Sequence, residues 1–320
     1  MKKILVILLS IITFTSYSQG PIQVSLQDIT QGKKFIEAYF TPMAESFGVG
    51  LNNGWYNTAK PHSLGGFDVT FTMNTVFIPN SAKTFNIQDA GGNTFTSNQE
   101  NASTIFGNTN ETEMTYIASG GSSSTPVGSF QFTMPGGFNT PIMPIPVIQA
   151  GIGLIKNTAI DIRYMPMLNV SDDINVNLFG VGLKHDLLQW IPAFGDVVPM
   201  SLSLQWGYTN LNSELKIADQ QVSLNTKANT INIIASKKLL MFTGYAGVGY
   251  NSVTTTFAAD PYFELNGIVF NEKIDFTFAS KDNVRGNIGL RLNLAIVTIQ
   301  ADYTFAEYPT ATLGLGVSLR

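Results

Sequence analysis

The stretch Asn287-Ile-Gly-Leu-Arg-Leu-Asn-Leu294, followed by Thr298-Ile-Gln-Ala-Asp-Tyr-Thr-Phe305, decides how this chain folds. Every second residue is apolar, and the residues between are polar or glycine. A period of two is the signature of a β-strand, whose side chains point alternately to opposite faces. The charges obey the alternation: Arg291 and Asp302 fall only in the polar phase. The chain then ends with Ala311, Leu313, Leu315, Val317 and Leu319 in one phase.

The same pattern recurs upstream. Phe67, Val69, Phe71 and Met73 alternate with Asp68, Thr70, Thr72 and Asn74. Ile160, Ile162 and Tyr164 alternate with Asp161 and Arg163, and Met200 to Tyr208 alternates with Ser201 to Gly207. These runs have about the 9–11 residues that a tilted membrane-spanning strand needs. Alternation also describes a soluble β-sandwich, so two further features decide. Aromatics gather at strand ends (Tyr164, Trp206 with Tyr208, Tyr250, Tyr303 with Phe305), as in the girdles of membrane barrels. An Arg facing lipid at mid-bilayer costs about 2–4 kcal/mol, so a membrane strand must confine its charges to one phase, as these strands do.

Composition agrees. Charged residues make up 12% of the 320, against about 25% in soluble domains. After the first residues no stretch is long and apolar enough for a membrane helix; the best, Ile142 to Ile155, is broken by Pro144 and Pro146. Lipid forbids unpaired backbone groups, which leaves a closed barrel as the spanning solution. The reading is an all-β, transmembrane antiparallel barrel of about 12–14 strands with a short N-terminal helix or plug region.

Lys2 and Lys3, the apolar run Ile4 to Ile12, and small residues at Ser16 and Ser18 predict a cleavable signal peptide over residues 1–18. Residues 19–45 form the expected plug region, with a helix over Ile29–Phe40 that Asp28 caps and Pro42 ends. Residues 46–320 are the expected barrel, placed in the cell outer membrane. Asp89 to Thr125, rich in Gly, Asn, Ser and Thr, reads as long outer loops around a short hairpin near Met114 to Ala118. The prolines of Pro135 to Pro146 predict a segment folded over a rim rather than a central strand.

Chemistry is sparse. There is no cysteine, and the two histidines, His62 and His185, lie in no metal-ligand or catalytic spacing. No cofactor, metal or enzymatic activity is expected, and a net charge of −4 gives no basis for nucleic-acid binding. The Gly-x-Gly pairs at Gly151/Gly153, Gly180/Gly182, Gly247/Gly249 and Gly314/Gly316 lie inside period-two runs rather than at strand-to-helix turns. They predict close approach of backbone or plug, not a phosphate loop. The interior charges Asp161, Arg163, Arg285, Arg291 and Asp302 are the candidate binding residues. They suit either a polar lining that holds a solute or a network that holds a plug.

Three segments carry a resemblance: Gly50-Leu-Asn-Asn-Gly-Trp-Tyr-Asn-Thr-Ala-Lys-Pro-His62, Ile148-Gln-Ala-Gly-Ile-Gly-Leu154, and Gly180-Val-Gly-Leu-Lys-His-Asp186 with Gln189-Trp-Ile-Pro192. From about Ile29 onward the chain resembles an uncharacterised outer-membrane barrel family of Bacteroidota, distantly similar to the long-chain fatty-acid transporter barrels. The resemblance implies an outer-membrane lipid environment and a channel or transporter for small hydrophobic molecules. No binding residue carries over from it. The alternative expectation is a non-transporting barrel that anchors protein partners through Asp89 to Thr125. The barrel assembly machinery is the other expected partner, although the chain ends Leu319-Arg320 rather than on an aromatic residue.

Overall fold

The computed structural model describes residues 26–117, 129–171, 174–191, 199–217, 220–259, 263–265, 268–270, 274–279 and 283–319. The expected signal peptide lies outside them. A helix, α1 (Leu26–Asn52), leads into an irregular segment, 53–66, and then into the wall. The wall strands are β1 (Phe67–Phe77), β2 (Ile142–Leu154), β3 (Thr158–Ser171), β4 (Ile174–Asp186) and β5 (Ser201–Ile217). They continue with β6 (Gln220–Leu239), β7 (Phe242–Ala259), β8 (Asn283–Leu294), β9 (Val297–Phe305) and β10 (Thr310–Leu319).

Each strand pairs antiparallel with its neighbours in sequence, and β10 returns to β1 with Val317 opposite Val69, so the sheet closes. A further segment, Ile274–Ala279, continues β8 upward along the same edge of β7. The result is a closed antiparallel barrel of ten strands. The expected 12–14 is therefore corrected to ten, for two physical reasons. β5, β6 and β7 are single strands of 17, 20 and 18 residues, longer than a bilayer crossing requires. Thr112–Ile117 and Ser129–Met134 alternate like wall strands, but pair with each other and with Phe95–Thr96 in a small separate sheet.

The outer face bears the expected apolar phase. Phe71, Ile162, Leu204, Ile233, Val248, Ile288, Ile299 and Leu315 are exposed, whereas Arg163, Arg285, Arg291, Asp161 and Asp302 are buried inside. Tyr164, Tyr250, Tyr303 and Phe305 stand at the upper margin of this band. Among the described residues no helix is long and apolar enough to cross a membrane; the exposed apolar band belongs to the strands.

The two ends of the barrel differ. One carries tight connections at 155–157, 240–241 and 295–296, together with the start of β1 and the end of β10. The other carries the 64-residue connection 78–141 beside the four-residue connection 306–309. Outer-membrane barrels have short periplasmic turns and longer outer loops, which assigns the first end to the periplasm. The long connection forms a cap whose Phe85, Phe95 and Tyr116 join the core cluster around α1. Phe35 of α1 stacks on Phe95 at 5.2 Å and meets Phe85 edge-on at 5.2 Å.

Two expectations about local structure are revised. Pro42 does not end the helix: α1 runs ten residues further to Asn52, so a boundary at residue 45 falls inside it. An interior proline costs about 3 kcal/mol, but here most of the helix lies buried inside the barrel, and packing overrides the local preference. Pro144 and Pro146 do lie in a wall strand, β2. They sit where β2 has a ladder on one side only, the edge position that suits a residue without an N–H.

Candidate functional site

The lumen is filled by the chain's own N-terminal segment. α1 descends from the cap, and residues 53–66 continue to the periplasmic end, where the Gly65 N–H donates to the Gly153 carbonyl. The helix ends at mid-barrel, where its last carbonyls point away from any further turn. Such groups need partners when buried. The wall supplies them. Arg163 of β3 donates to the Leu51 carbonyl at 2.5 Å and to the Asn53 carbonyl at 2.8 Å. Arg285 of β8 donates to the Asn52 carbonyl at 2.8 Å, and Asn74 of β1 donates to the Gly50 carbonyl at 3.0 Å. Two cations at the negative end of a helix are electrostatically favoured as well as hydrogen-bonded.

Below the helix the clamp continues through Trp55. Its ring lies under the Arg163 guanidinium, 3.6 Å from the guanidinium carbon to the ring centroid. Gln149 of β2 donates to the Trp55 carbonyl and to Asp161, and accepts from Arg163. The Trp55 ring fits into the wall because Gly182 and Gly207 carry no side chain there; a Cβ at Gly182 would come within 2.7 Å of it. One glycine in each of three pairs makes room for the plug: Gly182 for Trp55, Gly153 for the His62 and Ser63 backbone, and Gly247 for Tyr56, whereas Gly314 and Gly316 face the wall residues Gln300 and Thr70. Further down, Arg291 donates to the Asn57 side chain and Tyr56 to Asn287. Asp302 accepts from Tyr245, and His62 pairs with Asp68 at 2.8 Å.

The structure therefore brings Arg163, Arg285 and Arg291 directly onto the plug, and Asp161 and Asp302 into the same network at one remove. A polar cavity of about 10 Å³ lies among Trp55, His62, Asp68, Gln149, Asp161 and Lys184. That is room for about one water, far below the ~300 Å³ at which ligand pockets begin.

The upper lumen has a different chemistry, which the alternation did not announce. Val76, Ile145, Val147, Leu178, Leu211, Leu224, Val253 and Phe257 all point inward and are buried. Phe40 of α1 packs on Phe257 at 5.6 Å between ring centroids. A signal for this tier was present. In β5 the apolar phase moves from the even positions Leu202–Tyr208 to Leu211, and the outward positions become Asn210 and Asn212. β6 and β7 invert at the same height, with Leu224, Val253 and Phe257 inside and Lys227, Ser252 and Thr254 outside. At the top, the Tyr308 hydroxyl donates to Glu45 at 2.7 Å. Burial, then the adjacent Glu45 carboxylate, pushes this phenol above its ordinary range, so it stays a donor.

The wall is incompletely laddered beside this tier. β2 and β3 pair only from Leu154↔Thr158 to Gln149↔Arg163. Above that, the strands part: Ile142–Ile148 pairs with β1 alone, and Tyr164 onward pairs with β4 alone, with a register shift between Met165 and Leu168. Pro144, Pro146 and Pro166 withhold three N–H groups along the unjoined edges. The inward side chains there, Met143, Met165 and Val176, are only partly buried, as are Met43 and Phe47 one turn apart on α1. Six ladder pairs, at the tilt of about 40° common in such barrels, put this opening roughly 15 Å above the periplasmic turn.

A closed wall with a lipid-facing band, around a lumen occupied by its own N-terminal segment, defines an outer-membrane β-barrel with an internal plug. Within that class the chain belongs to the family of unknown function DUF6588, which it matches over residues 1–319. No protein of curated function matches it.

Several solved outer-membrane barrels are similar at low identity. The translocator domain of the autotransporter NalP from Neisseria meningitidis is 10% identical, with a TM-score of 0.30, covering 92% of this chain and 100% of that one. The outer-membrane protease OmpT from Escherichia coli is 8% identical at a TM-score of 0.33, over 79% and 97%. The toluene transporter TbuX from Ralstonia pickettii is 7% identical at 0.25, over 82% and 91%.

Proposed function

We propose that the barrel conducts small hydrophobic molecules, which enter the apolar upper lumen and leave sideways between β2 and β3 into the outer leaflet. The observation that carries this reading is the unjoined stretch of wall beside partly buried Met43, Phe47, Met143, Met165 and Val176. Methionine and phenylalanine side chains give a deformable apolar lining that suits solutes of varied shape. The lower lumen suits such cargo poorly, because it is lined by polar groups and the polar cavity beside Trp55, His62 and Asp161 holds about one water.

The test uses a single thiol, since the chain contains no cysteine. Met165→Cys in proteoliposomes is alkylated with a bulky charged maleimide, and the transfer of a fluorescent fatty acid is followed. Transfer should fall to background on alkylation and persist in the unlabelled variant. Equal transfer by the two would refute the sideways route.

A second reading is favoured by the clamp itself. Three arginines hold the plug, as suits a sealed barrel that only anchors partners through its cap. Such a barrel would transfer no apolar solute in either variant and would retain a protein partner through residues 78–141. We further read the protein as without catalytic function. Its two histidines are engaged in structural bonds, His62 with Asp68 and His185 with Thr158 and Trp190.

A further inference from the structure

The periplasmic turns are made of the wrong residues for water. Tight hairpin tips in which φ is positive favour Asn and Gly, and they are normally polar. Here the tip joining β6 to β7 is Leu240-Met241, with Leu240 at φ 56° and 85% exposed. The tip joining β8 to β9 is Ala295-Ile296, with Ala295 at φ 55° and Ile296 50% exposed. The tip joining β2 to β3 begins with Ile155, 67% exposed. Leu64 beside it and Trp190 on the 187–200 connection are exposed as well.

A leucine forced into the left-handed region and left bare has two costs in water and no compensation there. At the opposite end the described exposed residues are mainly polar: Asn80, Ser81, Asn98, Gln99, Glu100 and Glu307 face outward, with Phe138 and Ile117 as exposed apolar side chains among them.

We infer that this rim is seated in the inner leaflet, with Ile155, Leu240, Met241 and Ile296 inserted at the boundary between headgroups and acyl chains. Two observations identify lipid as the occupant. The tips continue the lipid-facing band without a polar break: Leu239 and Phe242 flank one, and Leu294 precedes another, all exposed. Exposed lysines stand on the same rim, at Lys60, Lys156, Lys237 and Lys238. Apolar anchors ringed by lysines match a layer whose apolar interior is covered by anionic phosphates. Trp190 fits the same layer, with its indole N–H bonded to His185 at 2.9 Å and its ring outside. The barrel therefore sits low, with its tight turns inside the membrane and β5–β7 standing above it.

The test places one fluorophore at a time on Leu240→Cys, Ile155→Cys and, on the cap, Asn98→Cys, each in the full chain inserted into phosphatidylethanolamine–phosphatidylglycerol vesicles. Probes at positions 240 and 155 should emit further to the blue than the probe at 98. They should be quenched by headgroup-nitroxide lipid and resist aqueous iodide several-fold better. Iodide quenching at 240 and 155 equal to that at 98 would overturn the inference. So would protection that appears only after a periplasmic extract is added, which would make the occupant a protein. Met241→Cys repeats the measurement should Leu240→Cys fail to insert, with the same two outcomes.

Discussion

The guanidinium of Arg163 closes the end of the plug helix, donating to the Leu51 carbonyl at 2.5 Å from a strand on the far side of the lumen wall. The contact joins residues 112 apart in the chain, a wall strand and the end of the plug helix.

Removing that guanidinium should loosen the plug. In Arg163→Ala the Leu51 carbonyl loses its donor and the Asn53 carbonyl keeps only the longer bond from Asn74 at 3.5 Å, at about 1–3 kcal/mol for a buried group left unpaired. Planar-bilayer recordings of the variant should show ion conductance well above that of the wild type. Arg163→Lys should not restore closure, because an ammonium cannot reach both carbonyls and lie flat on Trp55 as the planar fork does.

Space for Trp55 should be equally sensitive. Gly182→Leu and Gly207→Leu place a side chain where the ring lies. The plug should then be displaced, and limited proteolysis should cut within residues 53–66 of the variants while sparing the wild type.

The membrane boundary on the outer wall can be mapped by charge. Ile288→Arg, on the lipid face of β8, should destabilise the barrel by about 2–4 kcal/mol in a lipid-vesicle unfolding titration. Ser223→Arg, exposed on the outward side of β6 six residues above the position that faces Tyr208, should change stability by no more than about 0.5 kcal/mol. Equal costs at the two positions would contradict the assigned membrane level.

How much of this was readable in advance depended on whether one physical demand acted alone on a residue. Lipid demands apolar side chains outside, so Ile288, Leu290 and Leu315 declared their face, and Arg291 and Asp302 declared the other. The pairs around Gly153 and Gly182 declared close approach for the same reason. Two demands compete elsewhere. Leu211, Leu224 and Val253 are apolar because they meet α1, not lipid, and alternation cannot say which partner an apolar face has. Met114 and Phe132 alternate like wall residues, yet their sheet is too short to span a bilayer and packs on the helix instead. Pro42 marks a helix end for a chain in water, and the enclosing wall keeps α1 helical past it. Alternation places the interior charges inside, but a solute site and a plug clamp ask for the same arginines. Contacts such as Arg163 with Leu51 and Arg285 with Asn52 reveal that they hold the plug.

Closing the wall between β2 and β3 tests the sideways route most directly. Continuing the ladder one step past Gln149↔Arg163 brings positions 148 and 164 opposite each other. The double variant Ile148→Cys, Tyr164→Cys can therefore be bridged by a short bifunctional thiol reagent, with the barrel reconstituted in proteoliposomes. Bridged protein should lose transfer of a fluorescent fatty acid, while each singly substituted, reagent-treated protein keeps it. Undiminished transfer through the bridged barrel would contradict the account.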